Sequence, residues 1–186
     1  MKENNVKATF FVTNKDSKYD YILKRIVNEG HQIAIHTYSH DYNQIYKSQE
    51  AYMEDFNKMK SKIKKVTGVD CKIFRFPGGS SNLVSKKYCP GIMTNLTSNL
   101  TKAGYEYYDW NVDSGDASSN SYSAEQIKNN VINSLSPERE NVVLQHDIKE
   151  NSVNAVDSII KEAKSLGYTF DKINENTKPC KHEVAN

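Results

Sequence analysis

The sequence predicts an α/β fold built on a parallel sheet, either an open doubly wound sheet or a (β/α) barrel. Three observations carry that reading. Short apolar runs alternate with longer segments whose apolar residues step by three and four, a strand–helix–strand–helix rhythm. The 186 residues suit a single domain with its own core, and neither an internal repeat nor a linker interrupts them. The residues able to do chemistry stand directly after the apolar runs, where α/β folds gather their sites at the C-terminal ends of strands.

Taken in order, Ala8-Thr-Phe-Phe-Val12 reads as a buried strand ended by Asn14. Ile22, Leu23, Ile26 and Val27 place a helix over Tyr21–Glu29, with Gly30 as its C-terminal cap. Gln32–Ile35 is the next strand. The clearest helix spans Ser48 to Thr67, with Tyr52, Phe56, Met59, Ile63 and Val66 on one face and Gly68 at its end. Lys72–Arg75 is a strand stopped by Pro77, Gly78 and Gly79. A helix follows over Gly91–Ala103, then a strand over Tyr105–Val112. Ser123-Ala-Glu-Gln126 has the form of a capping box opening a helix through Leu135. Asn141–Gln145 is a strand, Val153 to Ala163 mark the last helix, capped by Gly167, and Tyr168–Phe170 is a final short strand. The tail from Lys172 is polar and irregular.

The composition excludes several classes. Twenty-five basic against 23 acidic residues give a net charge of +2, which makes no case for nucleic-acid binding. The densest basic run, Lys60 to Lys65, reads as the solvated face of a helix. No stretch approaches the length of a membrane span, and the polar start Met1-Lys-Glu-Asn-Asn-Val lacks the apolar region of a signal peptide. Three cysteines rule out a fully paired framework. Cys71 and Cys89 can pair or remain buried thiols.

Four clusters follow predicted strands: His36-Thr-Tyr-Ser-His40, Arg75-Phe-Pro-Gly-Gly79, Asp113-Ser-Gly-Asp116 and His146-Asp147. If the first is a helical turn, its two imidazoles share a face and can share a metal ion, although a transition-metal site normally takes three protein ligands. Arg75, one of three arginines, has the planar fork that holds a carboxylate in one orientation. His146 can work as a general acid or base near neutral pH, with Asp113 to orient it and Asp109 and Asp116 as competitors for that role. Each of these residues has a plainer reading as a core histidine or a surface ion pair. The nearby aromatics Tyr38, Tyr42, Phe76, Tyr107, Tyr108 and Trp110 can stack on sugar rings or simply fill the core.

The four clusters in this order, with Trp110-Asn-Val-Asp-Ser-Gly-Asp116, Leu144-Gln-His146 and the strand Ala8–Val12, resemble the polysaccharide deacetylases of the NodB-homology type, carbohydrate esterase family four. The resemblance covers about residues 4 to 170. It implies a distorted (β/α) barrel that removes N-acetyl groups from polymeric amino sugars, with peptidoglycan favoured as the polymer. It implies that His36 and His40 ligate zinc, or cobalt or nickel. Arg75 would orient the catalytic base, Asp113 would tune His146, and His146 would protonate the leaving amine. Leu144, Pro77, Gly78 and Trp110 would shape the groove around the substrate.

Two departures matter. The family's first motif carries a pair of adjacent aspartates, the general base and the third metal ligand, and no Asp-Asp occurs in this sequence. Ala117 stands where many relatives have tryptophan. The expectation is a catalytic domain over residues 1–172, short of its first strand and impaired as it stands, followed by a polar tail over 173–186. It is a piece of a longer extracellular or envelope enzyme, a paralogue that binds glycan without cleaving it, or a site completed by another acid. The polymer and the oligomeric state are open.

Overall fold

The computed structural model describes residues 1–118 and 121–186. The chain divides into two compact units. The larger comprises Ala8–Asp109 with Lys172–Asn186, the smaller Met1–Lys7 with Trp110–Asp171.

In the larger unit, strands β1 (Thr9–Val12), β2 (Gln32–Ile35), β3 (Ile73–Phe74) and β4 (Glu106–Tyr107) form a parallel sheet in that order. Helix α1 (Asp20–Asn28) links β1 to β2. The short α2 (Tyr42–Ile45) and the long α3 (Gln49–Thr67) lead to β3, and α4 (Ile92–Lys102) leads to β4. The α3 boundaries are those the periodicity predicts: the Ser48 hydroxyl accepts the Ala51 N–H at its start, and Gly68 closes its end. Tyr52, Phe56, Met59 and Ile63 face inward from α3; Phe56 meets Phe74 edge-on, and Phe74 in turn meets Phe76 edge-on. The register matters most for function. Val12, Ile35, Phe74 and Tyr107 lie in line across the sheet. The next residues continue that ladder, His36 N–H donating to Val12 and Arg75 N–H to Ile35, so His36 and Arg75 emerge side by side at the C-terminal edge.

In the smaller unit, β5 (Val112–Asp113) pairs in parallel with β6 (Val143–Leu144). Helices α5 (Ala124–Ser134) and α6 (Glu150–Ser165) close a separate core of Val112, Ile127, Val131, Ala155 and Ile159. The predicted capping box is present: Ser123 accepts the Gln126 N–H while the Gln126 side chain accepts the Ser123 N–H. At the other end of this unit's sequence, Met1–Val6 carries the hydrogen-bond pair of a Schellman motif, with Asn5 at φ 50.

Two expectations are corrected, and one open alternative is decided. The single strand over Tyr105–Val112 is two, β4 and β5, in different sheets. Its middle is spent elsewhere: the carbonyls of Tyr108 and Asp109 accept from Arg75, and the Asp109 N–H donates to the Cys180 carbonyl. Tyr168–Phe170 is not a strand, because the Tyr168 N–H turns back to the Ala163 carbonyl and completes the end of α6. No disulfide joins Cys71 to Cys89. Cys71 is a buried thiol donating to the carbonyls of Ile33 and Ile73, and burial pushes its pKa up. The tail is irregular as expected, yet fixed. Lys181 pairs with Glu106, and the Asn186 side chain accepts the Gly91 N–H at the start of α4. Among the described residues, no helix is long and apolar enough to cross a membrane.

Candidate active site

The sequence-predicted residues fall into two groups, one in each unit. In the larger unit, His36 Nδ1 lies 2.8 Å from the Arg75 carbonyl. A carbonyl only accepts, so Nδ1 carries the proton and Nε2 keeps its lone pair, the tautomer of a metal-ligating histidine with its second nitrogen anchored. The His36 and His40 rings lie 4.9 Å apart between centroids. A helical turn is not what brings them together. Thr37 at φ 67 and His40 at φ 57 both adopt left-handed backbone, and the loop between β2 and α2 is irregular. The two rings meet through left-handed backbone rather than through a turn of helix.

Arg75 is buried at 7% exposure, its guanidinium 4.1 Å above the Phe11 ring, donating to the main-chain carbonyls of Tyr108 and Asp109. Burial pulls its pKa down to about 10. It braces the end of β4 and offers His36 its carbonyl. Asp109, a competitor for the histidine-orienting role, accepts instead from Ser80 and from the His182 N–H, and so fixes the turn after β3. Pro77 is buried and its carbonyl accepts the Tyr46 hydroxyl. Gly78 is exposed, and a Cβ there would come within 2.7 Å of the Tyr42 hydroxyl. Of the aromatics, Phe76, Tyr107 and Tyr108 are core; Tyr38 and Tyr42 remain half-buried.

In the smaller unit, His146 Nδ1 sits 2.8 Å from Asp116 Oδ1, and its ring is 35% exposed. The same carboxylate accepts the His146 N–H and the Ser152 hydroxyl, while Lys149 donates to the Asp116 carbonyl. Burial alone would raise the pKa of Asp116. The hydrogen bonds from His146 and Ser152 outweigh it and hold the group at about 2. A carboxylate that stays ionised keeps the proton on Nδ1 and turns Nε2 outward. The expected partner was Asp113, and the correction has a simple cause. Asp113 lies on the solvent side of β5, where it accepts from the Trp110 indole and the Gly115 N–H. The turn through Ser114 and Gly115 then brings Asp116 inward. Leu144, paired with Asp113 across the two strands, is buried beside that turn.

Two residues that matter here lay outside every motif. Ser152 on α6 completes the Asp116 cradle, and Asp55 on α3 accepts the Tyr38 and Ser39 N–H groups between the two histidines. As a test of a metal, His36 and His40 fit as two imidazole ligands with the tautomer of one already fixed. No group of three His, Cys, Asp or Glu that could hold an ion is found among the described residues.

Parallel strands with histidines or aspartates at their C-terminal ends, in each of the two units, have the form that α/β enzymes use for their sites. The family model described as polysaccharide deacetylase matches residues 1–90. The catalytic domain of a peptidoglycan N-acetylglucosamine deacetylase from Eubacterium rectale is 50% identical over the whole chain and 84% of its own length, with a TM-score of 0.96. A polysaccharide deacetylase from Bacillus cereus is 30% identical, covering 97% of this chain and 85% of its own, with a TM-score of 0.83. A curated peptidoglycan-N-acetylglucosamine deacetylase from Bacillus cereus is 31% identical over 95% of this chain. The chain spans 63% of that relative's length. The chain belongs to the polysaccharide deacetylase family, hydrolases of the carbohydrate esterase four type.

Proposed function

We propose that the chain belongs to a metal-dependent hydrolase that removes N-acetyl groups from N-acetylglucosamine units of a polysaccharide, peptidoglycan first, at the cell envelope. The observation that carries the reading is the Asp116–His146 pair, a buried carboxylate behind a part-exposed imidazole. With Nδ1 held by Asp116, Nε2 is the nitrogen that carries and releases a proton. In the imidazolium form it donates to the amide nitrogen as the C–N bond breaks, and the sugar leaves as a neutral amine. Ser152 and Lys149 keep Asp116 from turning away during that transfer. His36 and His40 would hold a zinc, cobalt or nickel ion, which when bound polarises the acetyl carbonyl and activates water. The names of the relatives support the polymer.

The residues at hand supply the acid and two metal ligands, without the paired aspartates of the family's first motif. For the chain as it stands we therefore expect activity lower by about a hundredfold to ten-thousandfold, the scale of losing one acid–base group. The test is acetate release from chitin oligomers and from peptidoglycan, with zinc or cobalt added, beside His146→Ala. Weak release that needs both the metal and His146 supports the reading. Release indifferent to His146 overturns it. No release, with oligomers still bound, favours a glycan-binding protein that does not cleave, a reading the two-ligand metal site also supports.

A further inference from the structure

The loop carrying the two histidines holds two left-handed residues within four positions, Thr37 at φ 67 and His40 at φ 57. For a β-branched threonine this backbone is a true outlier, and such strain lasts only where the surroundings over-determine it. Thr37 does not hold itself: its side chain is fully buried and its hydroxyl has no hydrogen-bond partner. The constraint falls on the two residues in between. The Tyr38 N–H points at Asp55 Oδ1 at 2.5 Å, and the Ser39 N–H lies 3.0 Å from Oδ2 and 3.3 Å from Oδ1. Successive N–H groups converging on one carboxylate form an anion-holding nest, here filled by the protein's own aspartate. Asp55 stands in the second turn of α3, whose Tyr52, Phe56, Met59 and Ile63 are fully buried, so the loop is tied to a rigid element. The Tyr38 carbonyl, accepting from the Asn14 N–H, is a second tether.

We propose that Asp55 is a positioning residue for the histidine pair: its carboxylate fixes Tyr38 and Ser39, and so sets the separation at which His36 and His40 present their rings to a shared cation. The proposal rests on the reading of those histidines as metal ligands. A carboxylate is needed, because two acceptor oxygens face two donors. In Asp55→Asn one oxygen becomes an NH2 group turned toward a backbone N–H.

The test titrates cobalt(II) into the metal-free chain and into Asp55→Asn, Asp55→Glu and Glu54→Gln, following d–d absorption and calorimetry. Far-UV circular dichroism checks the fold, and NMR follows amide exchange at Tyr38 and Ser39 without metal. Glu54 is the control, a neighbouring exposed carboxylate paired with Lys58. Asp55→Asn is expected to bind cobalt about 10- to 100-fold more weakly, the usual effect of removing a group that orients a ligand. Its Tyr38 and Ser39 amides should lose protection, while Glu54→Gln matches wild type. Asp55→Glu keeps the charge and should recover part of the affinity, which covers the case in which the asparagine variant folds poorly. Wild-type affinity in Asp55→Asn, or a glutamate variant as weak as the asparagine one, overturns the proposal. If wild type itself binds no cobalt, the metal reading fails first, and unchanged amide protection in Asp55→Asn then overturns the loop anchor on its own.

Discussion

At the scale of single residues, Asp116 carries the most. Its folded pKa of about 2 lies below the ordinary aspartate value of roughly 4, so it contributes stability that is complete above pH ~4 and is lost as pH falls toward 2. The contribution is about 2 kcal/mol, for a carboxylate fully shielded from solvent. Asp116→Asn should therefore flatten the acid limb of the unfolding curve between about pH 4 and pH 2 and cut acetate release about a hundredfold or more. Asp113→Asn should cost less than about tenfold in acetate release. Denaturant unfolding across that pH range, beside the rates, checks both, and equal effects from the two variants would refute the assignment. The sequence made this choice half legible. Both aspartates sit in one Asp-Ser-Gly-Asp stretch, and strand alternation with Val112 inward already turns Asp113 outward. What it did not carry was Ser152, 36 residues on, or Asp55 on a helix before the next strand, because both reach the site only through tertiary packing.

Among elements, the turn Ser114–Asp116 converts the end of β5 into a site. Gly115 has φ 75, and a Cβ there would meet the Asn130 side chain at 2.8 Å and the Tyr122 ring at 3.0 Å. Asn130 is held in turn, donating to the Ser114 carbonyl. Gly115→Ala should cost roughly 1–2 kcal/mol from backbone strain alone, and by pushing the turn off α5 it should pull Asp116 from His146. Ser123→Ala removes the cap of the same helix for about 1 kcal/mol and touches nothing in that turn. Guanidinium midpoints should fall in both, kcat only in Gly115→Ala. Similar kcat in the two would show that the turn does not position the acid. Elements with a strong period were legible in advance: α3 to within one residue, β2 to the residue, and the α5 box. The run from Tyr105 to Val112 was not, since its aromatic residues run unbroken in pattern from one strand into the other while its central hydrogen bonds go to Arg75 and the tail. Nor was Tyr168–Phe170, whose first N–H belongs to a helix end.

For the whole molecule, the two cores predict unequal stability. Nineteen buried residues, with stacked and edge-on aromatics from Tyr46 to Tyr107, build the larger core. Among the described residues, five aliphatic side chains of β5, α5 and α6 build the smaller. Resistance to local opening follows the apolar surface a region buries, so the unit with Asp116 and His146 should open at lower free energy than the unit with His36 and His40. The single tryptophan makes this measurable. Trp110 belongs to the smaller unit, donating its indole N–H to Asp113, while the longest helix, α3, belongs to the larger. Tryptophan fluorescence should therefore change at a lower guanidinium concentration than far-UV circular dichroism. Under native conditions, amides of α5 and α6 should exchange before those of α3 and β2. Superimposable transitions with one common exchange free energy would mean that the chain unfolds as a single cooperative body, and the Asp116–His146 and His36–His40 pairs would then be lost together rather than the first before the second.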